Sequence, residues 1–285
     1  MGTDGRTDPE DAFAALGSER RIEILRTLAD AAAAEEDELT FTALYDRLAI
    51  DSTSQLSYHL DQLTDGFVRK SGDTYALTQA GERVLRAIRS GTYDTEPAFE
   101  PITVDGPCPS CDSTTLSASY RERLLTVACA DCEATVVTYD LPPPAAVGRT
   151  SEEILESCDR RARNELSVAL AGTCPTCGGV MDVSVAQTDG PAPYTCRADC
   201  TQCGLRLFAP LEARLLSHPG VIAFCWAHEV DVTSLPFWRL LSLVGDWEVE
   251  PDGASPVPCT VTVRCDDDEL VVRVAADLSV TVGPE

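Results

Sequence analysis

The chain has 285 residues, 44% of them hydrophobic, so it is long enough and apolar enough to bury the cores of more than one domain. That composition excludes an intrinsically disordered protein. Its 47 acidic and 22 basic residues give a formal net charge of −25, which excludes the strongly basic surface that DNA-binding proteins use at ordinary salt.

The make-up of this charge is informative, because only one of the 22 basic residues, Lys70, is a lysine. An acidic surface almost free of lysine resembles the proteins of salt-loving archaea, whose internal salt is molar. An ordinary acidic protein would share the sign of the charge but not the missing lysine. At about 1 M salt the Debye length is only about 3 Å, so the net charge is no argument against DNA as a partner.

Three features predict a cytoplasmic protein. The first residues, MGTDGRTDPEDAF, are polar and acidic and have neither the basic start nor the apolar core of a signal peptide. The longest apolar run, at 221–227, is too short to cross a bilayer, so no membrane partner is expected. In a reducing cytosol the 13 cysteines indicate metal sites more than disulfides.

The first ninety residues predict a helical unit that carries one hairpin. Apolar residues recur at helical spacing over 10–30, with a break at Gly17, and a short helix follows Thr40 as its N-cap. The next helix begins at Asp51 or Ser52 and ends near Leu63. Residues 67–78 then predict two short strands joined by a turn, and a final helix closes the unit.

The helix at 52–63 carries hydroxyl, amide and aromatic side chains on the face opposite its leucines. Such side chains can contact base edges in a major groove, and two basic residues beside the tip of the hairpin are placed to contact phosphates. His59 lies at the edge of the apolar face and fits packing as well as contact, and the basic pair also fits a solvated turn. The candidate DNA-contacting residues are Ser52, Thr53, Ser54, Gln55, Ser57, Tyr58, His59, Arg69 and Lys70.

The order of these elements, with the segments LGSERRIEILRTL, STSQLSYHLDQL, GFV and YALTQAGERVL, resembles the ArsR-type winged helix-turn-helix of prokaryotic transcriptional regulators over about residues 10–90. The resemblance implies that helix 52–63 enters the major groove and that the wing at 67–77 lies along the backbone. It also implies that the first and last helices form a homodimer. Metal-sensing members carry cysteines in the helix before the recognition helix, but residues 1–107 contain none, so metal sensing at that position is not expected.

Four C-x-x-C pairs divide the middle of the chain into two sets. Two such pairs separated by roughly 15–20 residues have the spacing of a zinc ribbon, because each pair aims two thiolates at one point and the hairpin between them brings the other two back. We therefore predict two structural zinc ions per chain, with no open coordination position for catalysis. The predicted ligands are Cys108, Cys111, Cys129 and Cys132 in the first set and Cys174, Cys177, Cys200 and Cys203 in the second.

The second set repeats the plan of the first, which indicates an internal duplication of about sixty residues. A helix at 151–170, capped by Ser151, is predicted between the two ribbons. Cys196 is an alternative ligand to Cys200, although matching the pairs between the repeats favours Cys200. His218, Cys225 and His228 fall on one predicted helix, where simple packing is favoured over a third metal site or a redox sensor.

The C-terminal residues predict an antiparallel hairpin or small meander, which Trp238 and Trp247 would pack on the helix at 217–229. The fold class is thus α+β and multidomain, and its overall layout loosely resembles haloarchaeal ArsR-related regulators. The predicted domains are a winged helix-turn-helix at 1–92, a first zinc ribbon at 93–145, a connecting helix at 146–172, a second zinc ribbon at 173–212, and a helix with an antiparallel β hairpin at 213–285.

The predicted function is a homodimeric transcriptional regulator that reads a partly palindromic operator in double-stranded DNA. The alternative is an adaptor whose winged helix and ribbons dock on the transcription machinery or another protein, without operator specificity. An enzyme is not expected, because the sequence has no P-loop, no dinucleotide-binding glycine pattern and no H-E-x-x-H. The sequence does not name a small-molecule effector.

Overall fold

The computed structural model describes residues 8–93, 95–188 and 192–283. The fold class is α+β, as predicted, and the described residues form four antiparallel sheets. The chain divides into two compact units, Met1–Thr95 and Glu96–Glu285. The finer division into five domains stays a prediction. Residues 1–7, on which the absence of a signal peptide partly rests, lie outside the described residues. Within the described ranges no helix has both the length and the apolar character that spanning a membrane requires.

The helices of the N-terminal unit begin where hydroxyl side chains can cap them. The hydroxyls of Thr40, Ser52 and Thr78 accept hydrogen bonds from the backbone N–H groups three residues further on, which satisfies donors that a helix start would otherwise leave unpaired. Gly17 and Ser18 separate the first two helices, as predicted. The helices are α1 (Pro9–Leu16), α2 (Glu19–Ala33), α3 (Phe41–Arg47), α4 (Thr53–Leu63) and α5 (Gln79–Arg89).

A three-stranded antiparallel sheet completes this unit. Its strands are β1 (Leu39–Thr40), β2 (Val68–Ser71) and β3 (Thr74–Leu77), in the order β1-β3-β2. Gly72 begins the two-residue turn between β2 and β3 with a φ of 58°, a conformation that favours glycine. The sequence did not predict β1, because two residues carry no periodicity. The core combines side chains of α2, α3 and α4, among them the fully buried Leu25, Leu44 and Leu56, with buried side chains of the three strands.

The first sheet of the C-terminal unit contains four strands in sequential order, and the first of them was not predicted. The strands are β4 (Phe99–Thr103), β5 (Leu116–Arg121), β6 (Leu124–Cys129) and β7 (Thr135–Asp140). Prolines at positions 97, 101 and 107 favour an irregular linker over 91–107, but β4 pairs with β5 and places Ile102 opposite Ala118. Pro101 coincides with a register shift, and an edge strand tolerates a proline there.

The second sheet follows a long helix and repeats the three strands β5–β7. The helix is α6 (Ser151–Leu170), and the strands are β8 (Met181–Gln187), β9 (Tyr194–Cys200) and β10 (Arg206–Pro210), in the order β10-β9-β8. The N-cap of α6 is Thr150 rather than the predicted Ser151, because Thr150 and Glu153 form a reciprocal capping box. In both repeats a 3-10 helix follows the third strand, Pro143–Ala145 in one and Leu211–Ser217 in the other.

The last sheet has the predicted meander form. The remaining elements are the helices α7 (Pro219–Ala227) and α8 (Phe237–Gly245) and the strands β11 (Glu248–Pro251), β12 (Cys259–Cys265), β13 (Asp268–Val274) and β14 (Val280–Val282). Trp247 packs with this sheet, but the placement predicted for Trp238 was wrong. Trp238 joins the core of the first sheet, and its Nε1 donates to the carbonyl of Asp105 at 2.9 Å. Helix α8 thus contributes to two cores from opposite sides.

Candidate metal centres and nucleic-acid interface

All four C-x-x-C pairs lie in turns of the same conformation. In each, the N–H of the first cysteine donates to the carbonyl five residues later, at 2.8–3.0 Å. The residue four positions after that cysteine has a positive φ, between 58° and 75°, which tightens the turn so that both thiols face the same point. These residues are Asp112, Glu133, Gly178 and Gly204.

The turns bring the eight cysteines named by the spacing into two groups of four. In the first group Cys108 Sγ lies 3.7 Å from Cys132 Sγ, and Cys111 Sγ lies 3.7 Å from Cys129 Sγ. The corresponding distances in the second group are 3.6 Å for the Cys174 and Cys203 sulfurs and 3.5 Å for the Cys177 and Cys200 sulfurs. Within each group all four sulfurs lie within 4.8 Å of one another.

These separations fit a tetrahedral metal centre rather than disulfides. Four sulfurs placed about 2.3 Å from one zinc ion would lie about 3.8 Å apart, whereas bonded sulfurs lie about 2.05 Å apart. All the cysteines are free thiols in the structure. Both groups therefore have the donor set and spacing that a tetrahedral, thiolate-preferring metal requires.

The electrostatics of each group also favour a bound cation. The backbone N–H of Cys132 is the main cause that lowers the pKa of Cys129 to about 6, and the N–H of Cys203 lowers the pKa of Cys200 to about 6 in the same way. For Cys111 a backbone N–H from Ser113 lowers the pKa, but hydrogen bonds with the neighbouring thiols outweigh it and raise the pKa to about 12. Neighbouring thiolates repel one another, so four of them ionise together only when a cation compensates their charge.

Two polar residues beside the cysteines were missed by the sequence reasoning. The Gln202 side-chain oxygen accepts a hydrogen bond from the N–H of Val180 at 2.8 Å, and this bond ties the second pair to the segment before β8. Thr115 Oγ1 lies 3.8 Å from Cys129 Sγ. Neither residue has a spacing signal, because one lies between two cysteines and the other before a strand.

The remaining cysteines and histidines stand apart from these groups. Cys196 is buried among apolar side chains, and that burial raises the pKa of its thiol to about 12. His218 caps α7 by accepting from the N–H of Gly220, while His228 lies 3.6 Å from Asp266 and 3.5 Å from Asp268. Among the described residues only the two tetracysteine groups bring three or more such ligands within 4.8 Å.

Helix α4 presents a polar face to solvent. Leu56, Leu60 and Leu63 are buried and attach the helix to the core of the N-terminal unit, while Tyr58 on the opposite side is 59% exposed. The other exposed predicted contact residues on this helix are Thr53, Ser54, Gln55 and Ser57.

Two of the predicted contact residues on this helix have structural roles. The Ser52 hydroxyl is only partly exposed and accepts from the N–H of Gln55 at 3.2 Å as the N-cap. His59 is partly buried, with its Nδ1 enclosed and without a hydrogen-bond partner. Burial, followed by the charges of Arg21 and Arg20, lowers the pKa of His59, which favours the neutral ring of a packing residue.

The β2–β3 hairpin carries the two predicted basic contacts. Arg69 Nη1 lies 2.9 Å from the Glu38 carboxylate, which also accepts a hydrogen bond from the Thr74 hydroxyl at 2.5 Å. Lys70 is exposed, and its Nζ lies 5.3 Å from the centre of the Tyr75 ring. Sequence reasoning missed Glu38, whose carboxylate engages Arg69 from 31 positions earlier in the chain.

Two known domain families match the chain. Residues 9–88 match a domain of unknown function, DUF7347, and residues 105–280 match a second domain of unknown function, DUF7351. Searches of curated proteins and of solved structures gave no match. The match over 105–280 covers more than half of the chain and includes all eight cysteines of the two groups. The chain therefore belongs to the family described as the domain of unknown function DUF7351.

Proposed function

We propose that this protein is a DNA-binding transcriptional regulator of ArsR-like type, a homodimer that reads a partly palindromic operator. In this proposal the N-terminal unit is a winged helix-turn-helix, α4 is its recognition helix and the β2–β3 hairpin is its wing. The observation that carries the proposal is the exposed face of α4, on which hydroxyl, amide and phenol groups are held outward by three buried leucines.

The width of an α-helix and the polar side chains of this face suit a major groove. A groove about 12 Å wide admits an α-helix, and amide and hydroxyl side chains can pair with the donors and acceptors on base edges. Gln55 lies in the first turn of α4 and Tyr58 one turn later, so both reach from the same half of the helix. The capped N-terminus of α4 also carries the positive end of the helix dipole, which favours nearby phosphate.

Exposed aromatic side chains support a second copy of the chain as a partner. Phe13 on α1 is 75% exposed, and Tyr93, just beyond α5, is 79% exposed. Burying two large aromatic side chains against a symmetric copy would stabilise a dimer by roughly 1.5–3 kcal/mol for each such side chain. A dimer would present two copies of α4 to the two halves of a palindrome.

We further propose zinc as the metal of both tetracysteine groups, with a structural role. The second ribbon has a core of only Ala169, Cys174, Met181, Ala198 and Cys200, so two of its five buried members are proposed ligands. Such a small core needs a metal to hold it, and structural zinc contributes about 10–16 kcal/mol of apparent folding free energy in small modules. Four protein ligands leave no position for a reactive water.

Metal analysis of the purified chain tests the zinc proposal. We expect two zinc ions per chain by elemental analysis, and one after Cys111→Ser, because three thiolates and a hydroxyl form a much weaker site. Cys196→Ser is the matched control and should keep both ions, since Cys196 lies outside the groups. Two ions retained by Cys111→Ser, or iron in place of zinc, would contradict the assignment.

Selection from genomic DNA tests the regulator. The purified chain is incubated in molar KCl with fragmented DNA from its own organism, and the bound fragments are sequenced. We expect a few sites that share a partly palindromic motif. Gln55→Ala and Tyr58→Ala should abolish the selectivity, because each removes a group that faces the bases, whereas Gln79→Ala at the start of α5 should leave it unchanged.

The adaptor is the second candidate function, and one contact favours it. Arg69, a predicted phosphate contact, already has an ion pair with Glu38, which weakens the case for a wing that grips DNA. Uniform recovery of DNA fragments, or none, would support an adaptor that docks on another protein. In that case Tyr58→Ala would reduce binding to the protein partner without any effect on DNA.

A further inference from the structure

The C-terminal unit contains a cavity of about 590 Å³, which lies within the range of small-molecule sites. Five elements form its wall: β7, α6, β10, the 3-10 helix Leu211–Ser217 and α8. Both β7 and β10 are edge strands of their sheets, so the cavity lies between the two ribbon repeats. Because every wall element belongs to this one unit, the cavity is independent of the N-terminal unit.

Most of the wall is apolar. Leucines of α6, β10 and α8 line it, including Leu166, Leu207 and Leu240. Two phenylalanines complete the apolar surface, and Phe208 is 61% exposed, which is unusual for a side chain of its size. A wall of this kind favours a ligand with an apolar body.

The charged residues of the wall are biased toward arginine. Four arginines and two carboxylates line the cavity, although the whole chain has 47 acidic and only 22 basic residues. Three of these arginines have carboxylate partners. The pairs are Arg161 with Glu165 at 2.7 Å, Arg163 with Asp159 at 2.8 Å, and Arg206 with Asp199 at 3.7 Å.

Arg214 differs from the other three. No carboxylate of the described residues lies within 4.0 Å of its guanidinium, and its Nε is buried without a hydrogen-bond partner. Glu212, two residues earlier, is not part of the wall. The Nε of Arg214 is enclosed by protein atoms, so a carboxylate in the cavity would pair with the terminal N–H groups of the guanidinium through two parallel hydrogen bonds.

We propose that this cavity binds a small organic molecule with an apolar body and a single carboxylate, which Arg214 holds. A monoanion fits better than a phosphate ester, because Arg161 and Arg163 already have close carboxylate partners and the wall itself carries the carboxylates of Asp140 and Glu165. Arg206 is largely exposed and lies 3.7 Å from Asp199, so Arg214 is the cation left for the ligand. The proposal does not depend on DNA binding by the N-terminal unit, so each can fail without the other.

Calorimetric titration of the full, zinc-loaded chain in molar KCl tests this site, with octanoate as the probe and octan-1-ol as its neutral counterpart. Octanoate should bind at least about tenfold more tightly than octan-1-ol, because only the carboxylate pairs with Arg214. Arg214→Gln should remove this preference and leave the affinity for octan-1-ol unchanged. Arg160→Gln is the matched control on the outer face of α6, where Arg160 pairs with Glu156, and it should bind octanoate like the wild type.

Three outcomes would overturn the proposal: no binding of octanoate, equal affinity for the two probes, or an unchanged octanoate affinity in Arg214→Gln. A second variant covers the case in which Arg214→Gln fails to fold, as judged by its circular dichroism and zinc content. Ala213→Trp adds an indole to the cavity wall and should abolish binding of both probes. Unaltered binding in that variant would place the ligand elsewhere and refute the site.

Discussion

Glu212 is the buried residue whose ionisation matters most for stability. Its side chain is 2% exposed and its Oε2 has no hydrogen-bond partner. Burial raises the pKa of this carboxyl from 4.5 to about 7. Between these values the folded chain holds a proton that the unfolded chain has released, so the free energy of unfolding falls as pH rises from about 4.5 to about 7 and stays reduced above it.

Glu212→Gln should remove this dependence, because glutamine has the shape of the protonated acid and does not ionise. A pKa difference of this size corresponds to about 3 kcal/mol, so the variant should be more stable than the wild type by about that amount at pH 8 and nearly equal to it at pH 4.5. Urea unfolding at both pH values measures the difference. Glu156→Gln, on the exposed face of α6, is the control and should show no such change with pH. A constant difference between Glu212→Gln and wild type would contradict the raised pKa.

At the residue scale, local chemistry was predictable and distant partners were not. The spacing of the C-x-x-C pairs indicated the eight cysteines that the structure brings together, because a turn of this kind is set by a few neighbouring residues. The cap of α6 was misplaced by one residue, since Thr150 and Ser151 both have hydroxyls and only the reciprocal bond to Glu153 distinguishes them. The pairing of Arg69 with Glu38 depends on the packing of β1 against β3, which no local pattern encodes.

At the scale of elements, the positive φ angles of the cysteine turns should affect stability. Gly204 has a φ of 75°, and a Cβ added there would meet no atom within 4 Å, so Gly204→Ala would strain only the backbone. The left-handed conformation is unfavourable for alanine by about 1–2 kcal/mol, and we expect the free energy of unfolding to fall by about 1 kcal/mol. Urea unfolding of the zinc-loaded chain measures it.

Two further variants make that experiment specific. Gly253→Ala also adds a Cβ in open space, but at ordinary φ, and should leave stability unchanged or slightly raised. Glu133→Gly makes the reverse change, because Glu133 has the same conformation in the first ribbon with a φ of 59°. It should not destabilise the chain. A loss of stability in Glu133→Gly as large as that in Gly204→Ala would mean that backbone strain does not govern these turns.

Elements with a strong periodic pattern were predictable, and those defined by pairing were not. Helices α2, α4 and α5 and the strands β12 and β13 carry regular alternation or helical spacing over seven or more residues. Strand β4 lies between prolines and has no alternation, so only its pairing with β5 reveals it. The role of Trp238 was mistaken because helix α8 contacts two cores, and a sequence pattern records which face is apolar but not which core covers it.

At the scale of the whole molecule, the net charge of −25 limits how the protein can bind DNA, which is itself a polyanion. Most arginines of the N-terminal unit already have carboxylate partners, and these ion pairs lie at the surface. Exposed pairs contribute little to stability in water, but they neutralise the cations that would otherwise attract phosphate. In the proposed complex, binding should therefore come mainly from short-range contacts of α4, with Lys70 as one contact from the hairpin, rather than from a basic surface.

We therefore expect the proposed operator binding to depend only weakly on salt. A protein with 6–10 phosphate contacts loses roughly 10³–10⁵-fold in affinity between about 50 and 200 mM salt, because binding releases condensed counterions. Here few phosphate contacts are available and salt screens the repulsion between acidic protein and DNA, so operator affinity should change by less than about tenfold between about 0.5 and 2 M KCl. Fluorescence anisotropy with a selected operator measures this affinity.

Lys70→Gln should weaken operator binding at every salt concentration, since Lys70 is exposed at the hairpin and has no carboxylate partner among the described residues. Arg160→Gln, in the C-terminal unit, is the control and should not weaken it. A steep loss of affinity with salt would mean that phosphate contacts dominate and that the ion pairs of the N-terminal unit open on DNA.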